Sequence, residues 1–190
     1  LDQVCGKHDL DGLPGNIGIG HVRWATHGDV TQVNAHPHFD CKKQIAVVHN
    51  GIVENYQELR TRLESKHRFV SQTDTEVIPH LIEEYMDGGA SLEEAVLKAS
   101  RQLKGCYAFA AISVKEPERV VATRRESPLV VGANAHQGFI ASDALAFLEE
   151  TNRVVFLEDG ETVILGKTIT FLDPDGHPTK KEFKEVNWKW

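Results

Sequence analysis

The 190-residue sequence has few cysteines, no basic block and no long apolar run, and each lack narrows what the protein can be. Its three cysteines, Cys5, Cys41 and Cys106, are odd in number and form no CxxC pair. That pattern argues against a disulfide scaffold and predicts reduced thiols in a cytoplasmic protein. Lys and Arg total 21 against 28 Asp and Glu, a net charge of −7 with His neutral. The densest basic spots are the isolated pairs Lys42-Lys43, Arg124-Arg125 and Lys180-Lys181. Nucleic acids and anionic membranes need clustered cations, so neither is expected as a partner. No stretch approaches the roughly 20 apolar residues of a membrane span. Leu1-Asp2-Gln3 also opens without the basic and apolar regions of a signal peptide. There is no repeat, no low-complexity tract and no Gly, Ser or Pro linker, so residues 1–190 are expected to form a single domain.

What is present is an ordinary globular balance of 41% hydrophobic and 26% charged residues. Residues 17–23 and 44–49 read as strands, the second carrying an unbroken Ile-Ala-Val-Val that predicts burial on both faces. Residues 55–66 read as a helix capped by Asn55, with Tyr56, Leu59 and Leu63 on one face. A second helix is predicted over 75–86, with a Thr73 and Glu76 capping box, and a third over 92–103, opened by a Ser91 and Glu94 capping box. Seven runs rich in Val, Ile, Phe and Thr follow, at 106–114, 119–123, 128–132, 138–141, 153–157, 161–165 and 168–172. Their spacing of about ten residues leaves no room for crossover helices, so the sheets should be antiparallel. The predicted class is α+β.

Polar chemistry concentrates early. Five of the ten histidines lie between positions 21 and 49, with Arg23, Trp24, Thr26, Asn34 and Asn50 among them. His36, His38 and Asp40 would share a face of an extended chain and could ligate a metal, but zinc-type HxxxH and CxxC spacings are missing, and hydrogen-bonded loop histidines are the preferred reading. His49-Asn50-Gly51 follows the buried strand. Asn-Gly is a leading hairpin-turn signal and is read first as such, while the Asn carboxamide and the Gly N–H are also the neutral donors an oxyanion hole requires. Arg23 can hold a carboxylate through parallel hydrogen bonds. Asp74 is either an acid favoured in a helix's first turn or a partner for an ammonium group.

Taken together, GIGHVRWATHG at 18–28, NAHPH at 34–38, VVHNGIVEN at 47–55, SQTDTEV at 71–77, ATRRESPLVVG at 122–132 and FIASDALA at 139–146 resemble one family across nearly the whole chain. It is the glutaminase domain of class II glutamine amidotransferases, and within them the glutamine:fructose-6-phosphate aminotransferases. The resemblance implies an N-terminal-nucleophile (Ntn) hydrolase-like fold, a four-layer αββα sandwich with antiparallel sheets. It implies that L-glutamine is hydrolysed to glutamate and that the ammonia is passed to sugar-isomerase domains, where fructose 6-phosphate becomes glucosamine 6-phosphate, with no cofactor and no metal. Arg23 would then hold the α-carboxylate and Asp74 the α-ammonium, with Thr26 and His27 completing the pocket. Asn50 and the Gly51 N–H would form the oxyanion hole, and Trp24 would gate ammonia.

In that family the nucleophile is a cysteine that opens the mature chain and uses its own α-amine as base. Cys5, Cys41 and Cys106 do not fit that position. The expectation is therefore an N-terminally truncated domain that lacks the nucleophile and the first strand, is inactive alone, and exposes a sheet edge that favours homo-oligomers. The alternative is a noncatalytic module that binds glutamine or a partner. Glu126 stands where the family usually has Gly.

Overall fold

A computed structural model describes residues 15–24 and 27–188. The elements in chain order are β1 (His38–Phe39), β2 (Ile45–Gly51), α1 (Tyr56–Leu63), α2 (Val77–Asp87), α3 (Leu92–Ser100), β3 (Tyr107–Ser113), β4 (Val120–Arg125), β5 (Val130–Ala133) and β6 (Gly138–Ala141). A 3₁₀ turn (Ala144–Phe147) follows, then β7 (Arg153–Phe156), β8 (Thr162–Leu165), β9 (Ile169–Leu172), β10 (Pro178–Thr179) and β11 (Lys184–Glu185). Among the described residues all strand pairings are antiparallel, in a sheet of order β1-β2-β3-β4-β8-β9-β10 and a smaller one of order β11-β7-β5-β6.

The period-two alternation of side chains builds the layers. In β3, Tyr107, Phe109 and Ala111 join the core beneath the three helices, with Val47 of β2 and Ile78, Leu81 and Ile82 of α2. The alternate residues Ala108 and Ala110 join a second core with Val131, Val155 and Val163, between the two sheets. Small side chains on that face let the sheets approach. The outer face of the small sheet is covered by the 3₁₀ turn, through Val130, Val154, Ala144 and Phe147. A Cβ on Gly132 would stand 2.3 Å from the Phe147 ring, so glycine is required at that crossing. The order is therefore helices, sheet, sheet, short helix, in agreement with the predicted αββα class. Truncating Phe109, which is 1% exposed, should cost about 3–5 kcal/mol.

All seven predicted C-terminal strands form, and α3 carries the predicted capping box, with Ser91 Oγ accepting from Glu94 N–H and Glu94 Oε2 accepting from Ser91 N–H. Four local expectations are corrected. Residues 17–23 form no strand. Gly18 and Gly20 weaken the strand tendency, and the apolar signal comes from Ile17 and Ile19 packing on the inter-sheet core. Asn55 does not cap α1. Its side chain instead clamps the segment before β3, donating to Gln102 O at 2.9 Å and accepting from Lys104 N–H at 2.9 Å. Thr73 and Glu76 form no capping box. The Glu76 carboxylate reaches back to Val70 N–H and Ser71 N–H, both at 2.7 Å, and to the Ser71 hydroxyl at 2.6 Å. Finally, Asn50-Gly51 is not a hairpin turn but the end of β2, paired with Ala108 and Tyr107 of β3.

Candidate active site

Three segments meet at the open end of β2: the irregular stretch before residue 24 with His27, the strand end His49-Asn50-Gly51, and the run Thr73-Asp74-Thr75 that leads into α2. They enclose a cavity of about 280 Å³ lined by Arg23, Trp24, His27, Asn50, Gly51 and Asp74, together with His21, His36, His49, Thr73 and neighbours. Every predicted site residue within the described chain lies here. Thr26 and Cys5 lie outside the described residues.

The strand end is shaped to present donors. Gly51 adopts φ of +111°, and a Cβ there would fall 2.0 Å from the Cys106 carbonyl oxygen. Only glycine permits so close a backbone approach. Because Ile52 N–H donates to Cys106 O at 2.7 Å, the antiparallel alternation turns the Gly51 N–H away from β3. His49 N–H, two residues earlier, also points away and donates to His36 Nδ1 at 3.2 Å. The Asn50 carboxamide is held by His21, whose Nε2 lies 2.8 Å from Asn50 Oδ1. With its oxygen occupied, Asn50 turns its NH₂ group outward as a donor.

Asp74 is 3% exposed. Its Oδ2 accepts from Val53 N–H at 2.7 Å, while Oδ1 faces His27 Nδ1 at 3.9 Å, beyond hydrogen-bond reach. A buried carboxylate with one oxygen left over calls for a cationic partner. Arg23 is braced differently than expected. Its Nη1 donates to Asp29 O at 2.8 Å, and its Nη2 donates to His27 O at 2.8 Å and Gly28 O at 3.0 Å. Three of its five N–H donors therefore hold its own loop together. Trp24 is 91% exposed at the mouth.

Burial keeps three of the nearby histidines neutral. Burial pushes His49 down to about 4, with nearby Asp74 only partly opposing the shift, and burial and then the neighbouring His21, His38 and His49 push His36 down to about 3. Burial also lowers His38. His49 Nδ1 is 2.9 Å from Thr75 Oγ1, and the His21 and His36 rings stack at 4.2 Å. Among the described residues, Arg23 supplies the guanidinium and Asp74 the carboxylate that line the cavity. His21, His49 and Thr75 were not singled out as site residues. The density of histidines between 21 and 49 was the signal that could have found the first two.

The alternative metal triad disperses. His36 accepts from His49 N–H, His38 Nε2 lies 3.1 Å from Thr73 Oγ1, and Asp40 Oδ1 closes a turn by accepting from Gln44 N–H at 2.6 Å and Ile45 N–H at 2.7 Å. Cys106 Sγ lies 3.1 Å from Ser127 Oγ, and neither Cys106 nor Cys41 lines the cavity.

A family profile described as "Glutamine amidotransferase domain" matches residues 21–149. A protein of Methanothermobacter thermautotrophicus named glutamine–fructose-6-phosphate aminotransferase [isomerizing] is 54% identical over 99% of this chain and 32% of its own length. One of the same name from Thermotoga maritima is 50% identical over 90% of this chain and 28% of its own. The chain thus spans about a third of the length of these relatives. Among solved structures, a glutamine phosphoribosylpyrophosphate amidotransferase from B. subtilis, complexed with ADP and GMP, superposes with a TM-score of 0.65 at 25% identity over 80% of this chain and 34% of that one. An allosteric regulatory enzyme of purine biosynthesis gives 0.67 at 26% identity, with the same coverage.

Proposed function

The chain belongs to the glutamine amidotransferase family, and we propose on that premise that its cavity binds L-glutamine for hydrolysis of the side-chain amide to glutamate and ammonia. The observation that carries the reading is the placement of a buried carboxylate, Asp74, and a neutral donor pair, Asn50 Nδ2 and the Gly51 N–H, on one small cavity. Glutamine presents the matching groups. Its α-ammonium would meet Asp74 Oδ1, and its α-carboxylate would meet a donor that Arg23 has left uncommitted, with His27 and Thr26 closing the pocket. Its amide carbonyl would then lie toward Asn50 and Gly51.

Attack on that carbonyl by a cysteine thiolate gives a tetrahedral oxyanion, which two neutral donors stabilise without themselves losing a proton. Collapse to the glutamyl thioester expels ammonia, and water then releases glutamate. Neither Cys41 nor Cys106 lines the cavity. What the described residues contribute is recognition and oxyanion stabilisation, and the nucleophile is the N-terminal cysteine implied by the family resemblance. With Trp24 at the mouth, ammonia would pass to the sugar-isomerase half, where fructose 6-phosphate becomes glucosamine 6-phosphate. The names of the relatives support that acceptor, and a reducing cytoplasm suits thiol chemistry.

Calorimetric titration with L-glutamine tests the reading. Asp74→Asn keeps an acceptor for Val53 N–H but removes the charge, so glutamine affinity should fall about 100-fold, the equivalent of a lost charge-assisted bond of roughly 2–3 kcal/mol. The analogue lacking the α-amino group should bind wild type and variant alike. Equal glutamine affinity in both proteins would overturn the assignment.

A further inference from the structure

Apart from the cavity, whose lining includes none of them, four metal-ligating side chains converge from three separate segments. Cys41 comes from the turn between β1 and β2, His67 from the loop after α1, and His80 and Glu83 from successive turns of α2. Cys41 Sγ lies 3.6 Å from His67 Nδ1 and 3.8 Å from His80 Nδ1. Glu83 Oε2 lies 2.8 Å from His67 Nδ1 and 3.4 Å from His80 Nδ1, and all four ligand atoms fall within 4.8 Å of one another. We propose that Cys41, His67, His80 and Glu83 form a structural binding site for one divalent transition-metal ion, with zinc the best match.

The argument is geometric first. A tetrahedral zinc site with Zn–S of about 2.3 Å and Zn–N of about 2.05 Å has S···N edges of about 3.6 Å and N···O edges of about 3.3 Å. The observed S···N edges of 3.6 and 3.8 Å lie at or just above the first value, and the N···O edges of 2.8 and 3.4 Å lie on either side of the second. The cluster is also wrong for a catalytic relay, in which the acid binds the imidazole nitrogen opposite the one facing the nucleophile. Here the thiol and the carboxylate both face Nδ1 of the same rings. Hydrogen bonding alone leaves the cluster oversubscribed, since Glu83 Oε2 is approached by His67, by His80 and by Cys41 N–H at 3.2 Å.

The opposite ring nitrogens supply a second observation. His80 Nε2 stands 3.8 Å from Glu76 Oε1 and His67 Nε2 stands 3.9 Å from Glu84 Oε1. Both Nε2 atoms are buried without a hydrogen-bond partner within the protein. At those separations the carboxylates lie beyond direct hydrogen-bond reach, but a metal on Nδ1 would leave each Nε2–H facing one of them, in the outer-shell position from which carboxylates orient metal-bound histidines. Both imidazoles would thus bind as Nε2–H tautomers, while the Cys41 thiol would lose its proton to solvent. Thiolate and carboxylate together balance a +2 ion, and a sulfur and two nitrogens select against calcium and magnesium. Four protein ligands leave no open position, which marks a structural role. Cys41 is solvent-exposed and gives the ion a way in, whereas His80 is 1% exposed. The ion would fasten α2 to the β1–β2 turn, and α2 begins three residues after Asp74.

Cobalt(II) reports on such a site. Chelator-stripped protein titrated with Co²⁺ should saturate at one equivalent, with intense visible bands of tetrahedral cobalt and a near-ultraviolet thiolate-to-cobalt band. Zn²⁺ should displace the cobalt and raise the thermal midpoint. Cys41→Ser should abolish the thiolate band and weaken binding at least about 10-fold, and His67→Gln should weaken it comparably, with unchanged far-ultraviolet circular dichroism. If the His67 variant does not fold, the exposed Cys41 variant decides. Failure to saturate, a weak octahedral spectrum, or binding that survives Cys41→Ser but is lost with Asp173→Asn, at the exposed Asp173-Asp175-His177 turn, would overturn the proposal.

Discussion

Two clusters of polar side chains, one drawing on the run that leads into α2 and one on α2 itself, are built on opposite plans. At the cavity, polar groups are spread over separate walls: Asp74 on one, Asn50 and Gly51 on another, Arg23 on the loop. At Cys41, His67, His80 and Glu83 they point at one spot, with contacts as short as 2.8 Å. Divergent groups with one opposite-charge pair suit an organic zwitterion. Convergent soft and hard donors suit a single ion. Histidine count does not distinguish the two, since both places hold several, and ring orientation does. Beside the cavity, His36 binds a backbone N–H and His49 a hydroxyl, and burial keeps both rings neutral.

The largest effect expected on this contrast comes from Gly51→Ala. The new methyl would collide with the Cys106 carbonyl, forcing apart the ends of β2 and β3. The loss should exceed about 4 kcal/mol in urea unfolding, in the range reserved for structural collisions. Metal binding should survive in whatever fraction folds. Asn50→Ala comes next. In a glutamine-hydrolysing preparation, kcat should drop by about 10²–10³, the usual result of deleting an oxyanion donor. Glutamine affinity should change by less than about 3-fold, and cobalt binding should not change. A comparable fall in affinity would mean that Asn50 recognises substrate rather than transition state.

How much of this was legible in sequence follows from the range of the forces involved. The C-terminal strands and α3 were read correctly because alternation and a capping box are local signals. Asn55, Thr73 and Glu76 were misread because their partners lie elsewhere: Gln102 and Lys104 for Asn55, His38 for Thr73, Val70 and Ser71 for Glu76. The residues gathered around the cavity were named through family motifs, since spacing alone favoured a turn at Asn50-Gly51 and left Asp74 open between a helix-start acid and a partner for an ammonium group. The second cluster escaped notice because only its His80 and Glu83 pair has a recognisable helical spacing. Cys41 and His67 reach it through tertiary packing.

Smaller effects sharpen the comparison. His49 holds its proton in the folded state only below about pH 4, whereas an unfolded chain takes it up near 6.5. The folded pKa is depressed, so stability is fully present above pH 6.5 and declines as pH falls toward 4, by up to about 1.4 kcal/mol per pH unit from this ring. His36 adds to the same trend. Thermal unfolding across that window should show the decline, and His49→Gln should flatten it. The smallest change lies away from both clusters. Glu126 has φ of +64°, a left-handed conformation that costs a non-glycine residue about 1 kcal/mol. Glu126→Gly should therefore raise the unfolding free energy by about that amount, while both ligand sites titrate as before.

The most direct measurement is a crystal structure with L-glutamine. The account predicts the α-ammonium within hydrogen-bond distance of Asp74 Oδ1 and the side-chain carbonyl oxygen between Asn50 Nδ2 and the Gly51 N–H. Glutamine bound in the reverse orientation, with its amide at Asp74, or bound outside this cavity, would contradict it.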